Sequence, residues 1–210
     1  MIRFLIIVLT LFISNVVFPS ITADVAIREL KNAYNSIKTF TGSITIKIGN
    51  KTYTGTIKYK MPNKLKINFY QPSQIDLISD GNSMWIFIKG NNTVIKQPLL
   101  PKRGDRVIYV SEIINPYDKY NSEYIITMDK YDDKTFSFNL KPKPDVFTTF
   151  SSAKLVSSRR GLVLSISGTT VTREQLSISV SYSSVNIEID DREFFFSPPA
   201  DAQVLTDIFQ

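Results

Sequence analysis

The sequence predicts a mainly β protein, an unclosed antiparallel β-barrel of about eleven strands covered by a lid of two or more short helices. Three observations predict it. From residue 41 onward apolar and polar residues alternate with period 2. Turn-forming residues interrupt that alternation at short intervals. The helical period of 3.6 appears only near residue 30 and near residue 110. Short spacing makes neighbouring strands antiparallel, because a parallel pair needs a crossover of a dozen or more residues. So many strands exceed what an open twisted sheet usually carries without curling. One face of such a sheet is wet, and the dry face has to be covered.

The elements follow in order. Met1-Ile2-Arg3 gives a short basic start, Phe4 to Val17 is an almost unbroken apolar run, and Ile21-Thr22-Ala23 offers a small-residue cleavage site. Residues 1–23 therefore read as a secretory signal peptide, since the run is shorter than the roughly 20 residues a spanning helix needs. Residues 24–210 read as one exported domain. From Asp24, a candidate cap, to Phe40, the residues Ile27, Leu30, Tyr34 and Ile37 fall on one helical stripe. Ile44, Ile46 and Ile48, then Ile57 and Tyr59, then Leu65, Ile67 and Phe69 alternate with polar neighbours. With turns at Gly49-Asn50, Pro62-Asn63, Gln71-Pro72, Asp80-Gly81 and Gly90-Asn91-Asn92, residues 41–97 predict a meander of about six strands. After the proline-bounded stretch 97–104, Asp105 is a possible cap; Val107, Val110 and Ile114 then stand at helical spacing before Asn115-Pro116 stops the chain. Strand signals resume at Tyr124–Met128, Thr135–Leu140, Phe147–Val156, Leu162–Ile166, Leu176–Tyr182 and Val185–Ile189, and the run Glu193–Phe196 ends in prolines.

The 210 residues contain no Cys and no His. That removes thiol nucleophiles, Ser-His-Asp triads, Cys/His zinc sites, His- or Cys-ligated haem and disulfides. The expectation is a protein that is not an enzyme and holds no metal or cofactor. The net charge of +6 is modest, and Lys58, Lys60, Lys64 and Lys66 stand singly along strands, so they read as solvating residues and not as a nucleic-acid surface. Lys102, Arg103 and Arg106 read the same way. Asp190-Asp191, with Glu188 and Glu193, is the densest carboxylate group. Adjacent Asp residues on a strand point to opposite sides, so the group reads as a surface turn and not as a glycoside-cleaving pair. Two small helices over so wide a concavity leave two readings open: a partly empty space for an apolar ligand, or a fully packed core.

Several segments carry a family resemblance. The helix ending in Phe40, the run Gly55-Thr56-Ile57-Lys58-Tyr59-Lys60-Met61-Pro62-Asn63-Lys64-Leu65, Gln71-Pro72, Ser79-Asp80-Gly81-Asn82-Ser83-Met84-Trp85 and the closing Phe196-Ser197-Pro198-Pro199 occur in an order that resembles the LolA family of outer-membrane lipoprotein carriers. The resemblance implies a periplasmic carrier. It would take acyl chains of lipoproteins released by an inner-membrane ABC transporter complex and pass them to an outer-membrane receptor. It also implies an acyl-chain cavity lined by Leu65, Ile67, Phe69, Leu30, Tyr34 and Ile37, with Trp85 as the aromatic after the Asp-Gly turn, and a lid carrying Val107, Val110 and Ile114. In well-known members an Arg before the Pro of the second barrel strand latches the lid; here that residue is Met61. The related receptor is itself a lipoprotein, and this chain lacks the Cys that lipidation requires. A carrier or sensor for another lipid or glycolipid on the same half-barrel is the alternative.

Overall fold

The computed structural model describes residues 21–98 and 116–206. The first helix, α1, runs from Ala23 to Asn35 and buries Ala26, Ile27, Leu30 and Tyr34, the stripe that the sequence spacing predicts. It ends earlier than Phe40, and its cap is Thr22 instead of Asp24: the Thr22 hydroxyl accepts from the Val25 N–H at 3.4 Å, while Asp24 sits in the first turn, where a negative charge suits the helix dipole.

A meander of β1 (Thr39–Ile48), β2 (Lys51–Lys60), β3 (Lys64–Gln71), β4 (Ile75–Asp80), β5 (Ser83–Ile88) and β6 (Thr93–Pro98) follows. The predicted lid helix at 105–114, with Val107, Val110 and Ile114, lies outside the described residues. The chain resumes at α2 (Pro116–Glu123), which the sequence reading did not expect. Pro116 opens this helix where it had been read as a stop. A proline at the first helical position costs nothing, because its missing N–H would be unpaired there anyway. A second meander comprises β7 (Tyr124–Tyr131), β8 (Thr135–Pro142), β9 (Phe150–Ser158), β10 (Val163–Thr170) and β11 (Gln175–Val185). The last of these takes in the first of two predicted strands, 176–182, and the chain leaves the sheet where the second, 185–189, was expected. A short β12 (Gln203–Thr206) ends the described chain.

All twelve strands form one sheet in the order β12-β6-β5-β4-β3-β2-β1-β11-β10-β9-β8-β7. The edges, β12 and β7, do not meet, so the barrel is unclosed. Every pairing is antiparallel except β12 with β6. The two meanders join along one seam between β1 and β11, where Ile44 faces Val180 and Ile46 faces Ile178. Near the seam Gly42 has no room for a side chain, since a Cβ would lie 2.2 Å from the Ser181 carbonyl oxygen.

The two faces of the sheet differ between its halves. On β10 and β11 apolar residues point inward, while Ser165, Ser167, Ser177, Ser179 and Ser181 alternate with them. On β4 and β5 the outward residues Ile78, Trp85 and Phe87 are apolar too, and the segment between β11 and β12, residues 186–202, covers them as a strap. Within the strap a 3-10 turn, Asp191–Phe194, packs on β3 and β4 and buries Phe194; Phe196 sets its ring 5.8 Å from Phe87 and 6.2 Å from Trp85.

The acidic cluster is the surface turn that the sequence predicts, and it gives the lysines partners where they read as merely solvating. Lys60 and Lys64 reach Asp191 at 2.6 and 2.8 Å, and Lys58 and Lys66 reach Glu193 at 3.0 and 3.6 Å. Asp190 caps the 3-10 turn and pairs with Arg192. The segment 193–196 is therefore not a strand. The Lys60 and Lys64 ammonium groups hold the Asp191 carboxyl down at about 2, and Lys58 holds Glu193 below its ordinary range. A carboxylate with a lowered pKa adds stability above its unfolded value and loses it only as the pH falls toward the folded one, so this clamp is indifferent to pH near neutrality. Its apolar side weighs more than its exposed ion pairs. Phe194→Ala removes a ring that is 1% exposed and is expected to cost about 3 kcal/mol, a fall in Tm of about 10 °C. A melting curve that overlays the wild type would show that the strap does not belong to the folded core.

Candidate functional site

The inward side chains form largely apolar rows. One row crosses the first meander through Phe40, Tyr59 and Leu65 to Met84, interrupted by the buried Ser79 on β4, and another runs through Ile57, Ile67, Leu77 and Ile86. A third crosses the second meander from Ile178 through Ile166, Leu155 and Phe138 to Met128. α1 and α2 lie against these rows, and the whole forms one apolar cluster. Leu30, Tyr34, Ile37, Leu65, Ile67 and Phe69 all belong to it. Trp85 does not. Met84 faces the concave side and Ile86 packs against the same cluster, so the residue between them must point outward, and Trp85 lies beside Phe196 and beneath the Lys96 ammonium.

Polar atoms fix the helices to the sheet and to each other, and tie β11 to β10 beneath them. The Tyr34 hydroxyl donates to Tyr59, whose oxygen also accepts from the Asn63 N–H. Tyr117 donates to the Gly161 carbonyl at 2.8 Å and meets Ser157. Tyr182 donates to the Val163 carbonyl at 2.7 Å. Lys31 and Asp118 pair on the outer side, joining α1 to α2. Met61, at the position of the family's latching Arg, instead packs its side chain on the edge of the apolar cluster. Burial pushes the Tyr34, Tyr59, Tyr117 and Tyr182 hydroxyls up, so all four remain neutral at physiological pH. Because their folded pKa values are raised, the stability they add is complete below the ordinary phenol range and fades only in strong alkali. These tyrosines, apart from Tyr34, were not among the predicted site residues. Tyr59 shared its strand period with Ile57, and Tyr182 shared that of Leu176, Ile178 and Val180, which were the available signals for them; Tyr117 carried none.

α1 sits close on the β9–β10 hairpin. Gly161 has φ of +82°, and a Cβ there would lie 2.5 Å from the Tyr34 nitrogen and 2.6 Å from the Leu30 carbonyl oxygen. Beside this contact is a cavity of about 230 Å³ lined by Ala33, Ser36, Ile37, Arg160, Leu162, Val185 and Asn186. It lies at the rim and is smaller than ordinary ligand sites. Beneath the helices the concave face is filled by the protein's own side chains. Cover is thinner at the opposite end of the strands, where Ile46, Ile48, Tyr53, Ile75, Ile126 and Met128 pack on the cluster only half-buried. This is an apolar mouth, and Phe69 stands beside it with its ring 6.1 Å from Tyr53.

The described residues hold no group of three or more His, Cys, Asp or Glu side chains able to bind a metal, and no helix among them is long and apolar enough to cross a membrane. No curated protein matches the chain in sequence. An uncharacterized conserved protein from Thermus thermophilus shares the fold with a TM-score of 0.57 at 8% identity, over 88% of this chain and 98% of that one. A chain of the Pseudomonas aeruginosa MucA/MucB complex shares it with a TM-score of 0.53 at 13% identity, over 86% of this chain and 62% of the other. This protein thus spans less than two thirds of that partner-bound relative. The family described as outer membrane lipoprotein carrier protein LolA matches residues 35–197, which run from the end of α1 to the aromatic strap, and the chain therefore belongs to the LolA family.

Proposed function

We propose that this protein is an exported, periplasmic carrier that receives the acyl chains of lipoproteins from an inner-membrane ABC release complex and delivers them toward the outer membrane. The observation that supports the reading is the unclosed sheet, whose apolar concave face is covered by two short helices held largely through side chains. An acyl chain gains about 0.8 kcal/mol for each methylene it buries, so a cargo with two or three long chains brings tens of kcal/mol of gross transfer energy. In a face already filled by Leu30, Tyr34 and Ile37, cargo has to displace helix contacts that are themselves apolar. Each methylene gained by cargo is then partly offset by one that the helix loses. The net affinity stays low enough for release to a receptor.

No proton transfer or covalent step enters this cycle. Asp191 and Glu193 of the strap are committed to lysine pairs, and Asp190 to Arg192, on the convex side, away from the apolar face. A second reading, a carrier or sensor for another lipid or glycolipid, draws on the fold shared with the MucA/MucB complex, in which a related half-barrel is found with a protein partner. One experiment separates the two. Purified protein added to spheroplasts carrying radiolabelled lipoproteins is expected to release them as a soluble complex. Recovery of free phospholipid or glycolipid alone, with no lipoprotein in the soluble fraction, would replace the first reading by the second.

A further inference from the structure

The end of the sheet that carries the apolar mouth also carries exposed apolar side chains. Phe147 is 85% exposed and Val171 is 59% exposed. They lie on neighbouring connections, because the Val171 N–H donates to the Thr149 carbonyl at 3.1 Å. Val146 extends the patch. A phenyl ring so exposed at a loop tip buries nothing in the folded chain and has no structural duty there.

The charge around this patch is one-sided. The β1–β2 turn abuts the β10–β11 turn, since the Gly49 N–H donates to the Gln175 carbonyl at 3.0 Å. Together with the β8–β9 connection they bring Lys47, Lys51, Lys141, Lys143 and Arg173 to this end against Asp145 and Glu174. Of the other described acids at this end, Glu123 is engaged by Lys119 and Asp76 by Lys89, and the exposed Asp201 lies near the β5–β6 turn. Basic residues around an apolar tip match an anionic bilayer surface, in which the ring enters the headgroup layer and the cations meet lipid phosphates.

We propose that this end of the half-barrel docks on an anionic lipid surface, with Phe147 and Val171 entering the interface and the apolar mouth facing the bilayer. Docking would let an acyl chain pass between bilayer and concave face without crossing water. The carrier reading supplies the purpose of the docking, yet the docking itself needs no lipoprotein.

The absence of native cysteines allows a site-specific test. Full-length Phe147→Cys carrying an environment-sensitive fluorophore is mixed with vesicles of phosphatidylglycerol and phosphatidylethanolamine. The same label at Asn82→Cys, on an exposed turn at the other end, serves as the reference. Emission at position 147 is expected to rise about twofold or more and shift to the blue, to weaken on phosphatidylcholine vesicles, and to fall in high salt. It should also fall in Phe147→Cys combined with Lys141→Glu and Lys143→Glu. The label at Asn82 should stay in water. Equal responses at both positions, or one independent of lipid charge, would overturn the proposal; so would silence at 147 with vesicles but a response to a lipoprotein's polypeptide, which would make this end a protein-docking surface. Because the vesicles hold no lipoprotein, failure here leaves the carrier reading standing, and failure of lipoprotein release leaves the docking standing.

Discussion

Leu65→Glu is expected to destabilise the fold severely, whereas Phe69→Glu, further along the same strand, is expected to leave the fold intact and abolish cargo uptake. Both side chains face the concave side of β3. Leu65 is 0% exposed and pairs with Tyr59 and Ser79 across the neighbouring strands, in the layer that α1 covers. A carboxylate there has neither a partner nor a path to water. Burying it costs about 4 kcal/mol or more, a large fraction of ordinary domain stability and a fall in Tm of about 10 °C. Phe69 is 9% exposed and stands at the mouth against the half-buried Tyr53. Its replacement can turn a carboxylate outward at a cost of about 1–2 kcal/mol, much of it from the lost ring contact. Thermal melts and the spheroplast release assay read the pair together. Unfolding of both variants would make Phe69 part of the packed core, and unimpaired release by Phe69→Glu would place the route of the acyl chains elsewhere.

Gly161→Val is the second large effect, and it should act on the helical cover more than on the sheet. The backbone at 161 has a positive φ that a β-branched residue adopts only with strain of about 1–2 kcal/mol. The added Cβ would also press on the Tyr34 nitrogen and the Leu30 carbonyl, one turn of α1. The helix must lift, and lifting it pulls Tyr34 from Tyr59. The expected outcome is a loss of about 3 kcal/mol, near-native far-ultraviolet dichroism from the sheet, an altered near-ultraviolet tyrosine signal, and fast proteolytic cleavage within residues 23–35. A variant with native protease resistance and melting temperature would mean that α1 does not depend on the hairpin for its seat.

The sequence showed the concave half of this architecture well. Period-2 strands with wet outer faces are plain in Ser177-Ile178-Ser179-Val180-Ser181, and the α1 stripe follows from spacing alone. The convex cover was also written there but was read otherwise. Met84-Trp85-Ile86-Phe87-Ile88 is apolar without alternation, the mark of a strand buried on both faces. Read that way, it required a covering segment and placed Trp85 outside the concave site. The lysines of β2 and β3 gained meaning only from the strap, which Lys58 meets 135 residues and Lys60 129 residues further along the chain, a separation no local pattern reveals. Pro116 was ambiguous for another reason: a proline both ends one helix and begins the next, and residue spacing does not distinguish the two.

The β1–β11 seam has a consequence for how the chain is delivered. Lys38, just before β1, bonds to Asn186, just after β11, across 148 residues of sequence. Every other antiparallel pairing in the sheet joins strands consecutive in sequence. A chain emerging N-terminus first can therefore assemble its first meander while β1 still presents a bare hydrogen-bonding edge. That edge stays open until almost the last strand has arrived, and an unpaired edge is where one chain recruits another. During biogenesis the hazard to this protein is thus concentrated in the interval between the appearance of Thr39 and that of Val185.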